Sequence, residues 1–142
     1  MKTRVLLVDD EKDFVEALSQ RLEVRDFEVT TALSGDDALT RIKEVDFDVV
    51  ILDVQMPGKD GIETFKEIKS LKPLVEIIML TGHATVETAI EGMKLGAYDY
   101  LMKPTDTDDL VTKINGACKL KVEHQERIRQ AEISGILKRR GW

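Results

Sequence analysis

Val49-Val50-Ile51-Leu52 is apolar at every position, so this short run has no polar side to turn toward water. It reads as a strand covered on both faces, the situation of a strand in a parallel sheet with helices above and below. Val5-Leu6-Leu7-Val8 repeats the pattern, and residues 75–80 and 98–102 are further runs dominated by apolar side chains. Each of these runs ends in a polar group. The first leads into Asp9-Asp10-Glu11, the second, at residue 49, into Asp53, the third into Thr81-Gly82 and the fourth into Lys103-Pro104.

Helical periodicity fills the intervals. Phe14, Ala17, Leu18 and Leu22 form one apolar face after the first run, as an amphipathic helix requires. Residues 27–31 read as a further strand, and Ser34-Gly35-Asp36-Asp37 opens a helix through Ala38, Leu39 and Ile42, with serine as its cap. Ile62, Phe65, Ile68 and Leu71 mark a third helix, which Lys72-Pro73 stops. A fourth over residues 85–95 places Val86, Ala89, Ile90 and Met93 on one face, with Gly96 as its stop. The fifth begins near the acidic residues 106–109 and runs through Leu110, Val111 and Ile114.

Five strands alternating with five helices predict a doubly wound α/β domain. Ligands of such sheets bind beyond the carboxyl ends of the strands, where the winding reverses. Asp9, Asp10, Asp53, Thr81 and Lys103 all belong to that edge.

At 142 residues and 42% hydrophobic content the chain suits one domain, large enough to bury roughly two-thirds of its unfolded surface. The single Cys118 excludes an internal disulfide and a multi-cysteine zinc cluster, and it reads as a structural thiol beside Ala117. No apolar run approaches the ~18 residues of a membrane span, and no signal peptide is apparent, so a cytoplasmic protein without membrane contact is expected. A net charge of −6 argues against direct nucleic-acid binding, which needs a positive footprint; only Lys138-Arg139-Arg140 is basic as a cluster.

Clustered carboxylates repel. Two unit charges about 5 Å apart at an effective dielectric near 20 cost roughly 3 kcal/mol, so either one acid keeps its proton or a cation is bound. A few hard oxygen donors with room for water and phosphate fit Mg²⁺ better than a closed Ca²⁺ cage, and Mn²⁺ can substitute. An aspartate beside such an ion can act as a nucleophile toward a phosphoryl group, with Lys103 neutralising its oxygens and Thr81 donating a hydrogen bond. His83 reads as a rim residue, and His124 as an exposed one without a partner.

As an ordered set, Asp9-Asp10, Asp53, Met56-Pro57 with Asp60-Gly61, Thr81 and Lys103-Pro104 resemble the response-regulator receiver domains of two-component signalling. The resemblance covers residues 1–122. It implies a flavodoxin-like five-stranded parallel sheet in the order 2-1-3-4-5, with a cis peptide at Lys103-Pro104. It further implies that Asp53 accepts a phosphoryl group from the phosphohistidine of a sensor histidine kinase or phosphotransfer protein. Asp10, Asp53 and the Gln55 carbonyl would bind Mg²⁺ directly, and Asp9 through water. Thr81 and Tyr100 would be the switch residues. Gln55, Gly82 and His83 would tune the lifetime of the acyl phosphate. A downstream protein would dock on the face of the fourth helix, fifth strand and fifth helix, and a homodimer is a further expected partner arrangement.

Residues 80–90 with Gly96-Ala97-Tyr98-Asp99-Tyr100 are similar to receivers of the nitrogen-regulator class, which usually precede an ATPase and a DNA-binding domain. No Walker-type glycine loop is present here, and a single-domain regulator is expected. Two alternatives are the receiver part of a larger transcriptional regulator and an aspartyl-phosphate phosphatase. The second lacks its usual acid two residues after the nucleophile, where Gln55 stands. Residues 123–142 form an extension that reads as a longer final helix, a linker or a partner-binding tail. Ser134-Gly135 is expected to break it and leave a disordered end, with Trp142 exposed.

Overall fold

A computed structural model describes residues 2–55, 61–82 and 85–139, from 137 onward as backbone alone. The elements follow in the order β1 (Arg4–Val8), α1 (Lys12–Val24), β2 (Glu28–Ala32), α2 (Gly35–Glu44), β3 (Val49–Leu52), α3 (Gly61–Leu71), β4 (Glu76–Thr81), α4 (Val86–Lys94), β5 (Asp99–Met102) and α5 (Thr107–Arg139). The strands form one parallel sheet in the order β2-β1-β3-β4-β5.

Alternate residues of the apolar strands feed two cores. Leu6, Val8, Val50, Leu52, Ile77 and Met79 meet α2 and α3 through Ala38, Ile42, Phe65 and Ile68. Val5, Leu7, Val49, Ile51, Ile78 and Leu80 meet α1 and α5 through Leu18, Leu22, Leu110 and Ile114. The wholly apolar runs are therefore buried on both faces, as their composition requires.

Several local expectations shift. Strand β2 begins at Glu28 because the Phe27 N–H is already donated to the Leu22 carbonyl, closing α1 around the left-handed Asp26 (φ 74°). On α1 the buried positions are Val15, Leu18 and Leu22, while Phe14 is half-buried and Ala17 exposed. The apolar face is thus rotated by one residue from the predicted one.

The fourth helix departs further. Val86, Ile90 and Met93 are all exposed, and only Gly92 is buried. A side chain on Gly92 would collide with Met79 Sδ, so the helix lies close to the sheet along its glycine side. Ile90 and Met93, two positions before and one after that point, are turned 100° or more away from it. Gly96 ends the helix as predicted, at φ 100°, with its N–H on the Met93 carbonyl.

The predicted break at Ser134-Gly135 does not occur, since α5 continues to Arg139. One interior glycine costs about 1 kcal/mol relative to alanine, too little to stop a helix rich in Glu, Arg and Gln. Arg129 pairs with both Glu126 carboxylate oxygens at 2.7 and 3.2 Å within this stretch. At 33 residues the helix is about 50 Å long, and most of its second half is exposed.

Candidate functional site

Strand register assembles the site. Val8 lies beside Leu52 across the β1–β3 pair, so the residues that follow, Asp9 and Asp53, emerge next to each other. This is also where the winding reverses, since β2 lies to one side of β1 and β3 to the other. Thr81 pairs with Met102 across β4–β5, and the Lys103 N–H continues that ladder to the Thr81 carbonyl at 2.9 Å.

Both buried acids are oriented by the same local device. Asp9 Oδ1 accepts from the Glu11 N–H at 2.9 Å, and Asp53 Oδ1 from the Gln55 N–H at 3.0 Å. An aspartate bonded to the backbone two residues on forms a turn that fixes its side chain. The other oxygens face Lys103, whose Nζ lies 2.6 Å from Asp9 Oδ2 and 3.6 Å from Asp53 Oδ2. Glu11 Oε1 lies 3.4 Å from the same ammonium, and the Phe14 ring centroid 4.1 Å from it.

Asp9, Asp53 and the exposed Asp10 each offer a carboxylate oxygen within 4.8 Å of the others. This is a set of hard donors suited to a divalent cation. Burial raises the Asp9 carboxyl above its ordinary value; the Lys103 and Glu11 hydrogen bonds oppose this, and the Asp53 charge adds to it. Burial would lower Lys103, but the Asp9 hydrogen bond and the charges of Asp9, Asp53 and Glu11 outweigh it and raise the ammonium. Anionic crowding thus holds the lysine charged at the point where the acids converge.

The remaining predicted residues take varied places. Thr81 is fully buried at the end of β4, and Gln55 and Gly82 are exposed beside the acids. Among the described residues, a side chain on Gly82 would have Lys103 Cδ nearby, at 3.9 Å. Tyr100 is half-buried, its hydroxyl 3.0 Å from Thr88 Oγ1. The Lys103-Pro104 peptide is cis. His83, residues 56–60 and Trp142 lie outside the described residues.

Sequence reasoning assigned no role to Glu11 or Phe14 at the lysine. It also missed a second polar group at the opposite edge of the sheet. Glu76, at the start of β4, is 5% exposed, and His124 Nδ1 lies 3.9 Å from its Oε1. His124 is therefore half-buried and partnered, because α5 continues past residue 122, the predicted end of the domain. Lys121, one turn earlier, donates to the Phe47 carbonyl and to Asp48 Oδ1, each at 3.1 Å. A carboxylate inside the apolar run 75–80 was the available signal.

Comparison with known proteins agrees with this geometry. The response regulator receiver domain profile matches residues 5–115. The transcriptional regulatory protein ZraR of Salmonella typhimurium is 45% identical over 109 residues, which is 77% of this chain and 25% of that protein. The regulatory protein AtoC of Escherichia coli is 37% identical over 123 residues, 87% of this chain and 27% of that protein. The chain thus spans about a quarter of the length of these curated relatives.

Among solved structures, a CheY-like receiver domain protein of Methanospirillum hungatei superposes with a TM-score of 0.83 at 29% identity, covering 87% of this chain and 99% of that one. NtrX of Brucella abortus gives 0.82 at 32% identity, covering 89% of this chain and 29% of that one. With a profile match over most of its length and the acids, hydroxyl and lysine meeting at one sheet edge, the chain belongs to the response regulator receiver domains of two-component signalling.

Proposed function

We propose that this chain is a switch operated by phosphorylation of Asp53. The observation that carries the reading is the meeting of Asp9, Asp53 and Lys103 within 3.6 Å of one ammonium, beside an acid triplet able to hold a cation. The phosphorus–nitrogen bond of a partner's phosphohistidine breaks as a phosphorus–oxygen bond forms to the Asp53 carboxylate, and the imidazole leaves with a proton from water. Mg²⁺, or Mn²⁺ in its place, supplies charge neutralisation when bound by Asp10, Asp53 and the Gln55 carbonyl, with Asp9 acting through water. Transfer of this kind depends mainly on position and charge, and the protein's own part is Lys103, which faces the acceptor. The same site would release phosphate by slow hydrolysis, tuned by Gln55, Gly82 and His83.

Signal output is a binding change. Thr81 responds at the end of β4, and Tyr100 gives up its Thr88 contact as the α4-β5-α5 surface changes population. Val86, Ile90 and Met93 are exposed on that surface, which supports it as the docking face for a downstream protein. The proposed partners are a cytoplasmic histidine kinase or phosphotransfer protein on one side and that target on the other.

Residues 1–122 form the proposed receiver, and 123–142 an outgoing segment. A second reading is favoured by α5 itself, which runs on as an exposed helix to Arg139. In that reading the receiver is joined through α5 to further domains of a transcriptional regulator. Among the described residues no helix is long and apolar enough to cross a membrane.

Intact-mass measurement after treatment with a small phosphodonor tests the acceptor. One added phosphoryl group, lost with chelator and absent in Asp53→Asn, is the expected result. Equal labelling of Asp53→Asn would overturn the assignment.

A further inference from the structure

We infer that Phe14 is a positioning residue for Lys103, its ring holding the ammonium at the site while the surrounding carboxylates change partners. The inference rests on the proposed role of Lys103 at Asp53.

Among the described residues, three carboxylates and one aromatic ring lie at the Lys103 ammonium. Asp9 and Asp53 lie at 2.6 and 3.6 Å, Glu11 at 3.4 Å, and the Phe14 ring centroid at 4.1 Å. Asp9 and Asp53 also belong to the triplet suited to a cation, so a bound cation with its water, or the phosphoryl group, would compete with the lysine for their oxygens. Glu11 and Phe14 are the two contacts that such binding does not take.

These two differ in kind. The Glu11 side chain is 59% exposed, and an exposed partner of a flexible lysine holds it weakly. Drawn to Glu11 alone, the lysine would also move away from Asp53 toward solvent. Phe14 is half-buried and packed against the core formed by α1, α5 and the sheet, so its ring does not follow the lysine. A cation over an aromatic face is attracted by the ring quadrupole, more strongly where water is partly excluded. The Lys103 side chain is 12% exposed, which meets that condition.

The rotated register of α1 is part of this arrangement. Val15, Leu18 and Leu22 fill the core, leaving Phe14 at its rim, where one side of the ring packs inward and a face is left for Lys103. A leucine at this position would keep apolar contact and lose the quadrupole; a tyrosine would keep both.

Proton NMR of the metal-free wild-type protein supplies the first reading, because the ring should shift the Lys103 methylene resonances nearest Nζ upfield. Phe14→Leu should lose that shift and slow Asp53 labelling by a small phosphodonor roughly three- to tenfold. Phe14→Tyr should restore both, with all three proteins unfolding at similar urea concentrations. Absence of the upfield shift in wild type, or wild-type labelling by Phe14→Leu, would overturn the inference. If Phe14→Leu does not fold, the wild-type shift and the Phe14→Tyr rate decide it. Failure of wild type to label on Asp53 at all sinks the parent reading, an outcome distinct from unequal behaviour of the two Phe14 variants.

Discussion

The two edges of the sheet both bury charge, and they use it differently. At the carboxyl edge Asp9, Asp53 and Lys103 converge, and each acid commits one oxygen to a nearby backbone N–H and turns the other toward the lysine. At the amino edge the buried Lys121 and the half-buried Lys69 and Asp48 end on fixed partners. Lys121 bonds to the Phe47 carbonyl and Asp48, Lys69 to the Pro73 and Val75 carbonyls, and Asp48 Oδ2 accepts from the Arg4 N–H. Buried charge alone therefore does not mark a functional site. What distinguishes the carboxyl edge is like charges held together around one ammonium, whereas the amino edge ties α5 to the start of β3 and β4.

The largest effect that would sharpen this contrast is expected at Lys103. Lys103→Met should slow Asp53 labelling about 10²- to 10³-fold, as for other lost donors at a developing anion, and a phosphodonor time course measures it. A near-normal rate would place the two edges on the same footing.

Lys121→Met should act the other way round. Leaving Asp48 and the Phe47 carbonyl without their donor should cost about 1–3 kcal/mol of stability, seen in urea unfolding, with Asp53 labelling unchanged once the protein is folded. Loss of labelling in the folded variant would break the division between edges.

Glu76 offers a pH test. Burial raises its carboxyl above the ordinary value of 4.5, while Lys69 and His124 pull it down. The folded state then holds the proton more tightly than the unfolded chain, so this group lowers stability as pH rises from 4.5 through its folded value. Glu76→Gln should remove that penalty and stabilise the protein by about 0.5–1.5 kcal/mol at neutral pH, a gain that shrinks below pH 4.5. Urea midpoints across pH check it, and a gain that grows in acid would reverse the sign.

The smallest effect belongs to the exposed end of α5. Among the described residues nothing lies within 4 Å of a side chain added at Gly135, so Gly135→Ala should add up to about 1 kcal/mol of local helix stability. Slower amide exchange around residue 135, without change at either sheet edge, is the expected result.

Legibility followed the range of the physics involved. The strands were readable because Val5-Leu6-Leu7-Val8 and Val49-Val50-Ile51-Leu52 have no polar face, and the site because Asp9, Asp53, Thr81 and Lys103 end such runs. Helix faces were less so. On α4 the apolar stripe Val86, Ile90, Met93 has good helical spacing, yet spacing does not say whether a protein core or solvent lies opposite. Gly92, allowing close approach to Met79 and Tyr100, determined which side faces inward. At Ser134-Gly135 local breaker signals were outweighed by the helix propensity of the flanking residues.

By itself the sequence determined the alternation of strands and helices and which polar groups stand at the strand ends, because periodicity and burial act over a few residues. Tertiary structure alone decided which of those groups share an ammonium. Lys103 and Glu11 are 92 residues apart and meet at 3.4 Å, Phe14 lies against the same lysine, and His124 finds Glu76. Contacts of that kind depend on strand register and on how helices roll against the sheet, quantities set by packing of the whole core and carried by no short stretch of chain.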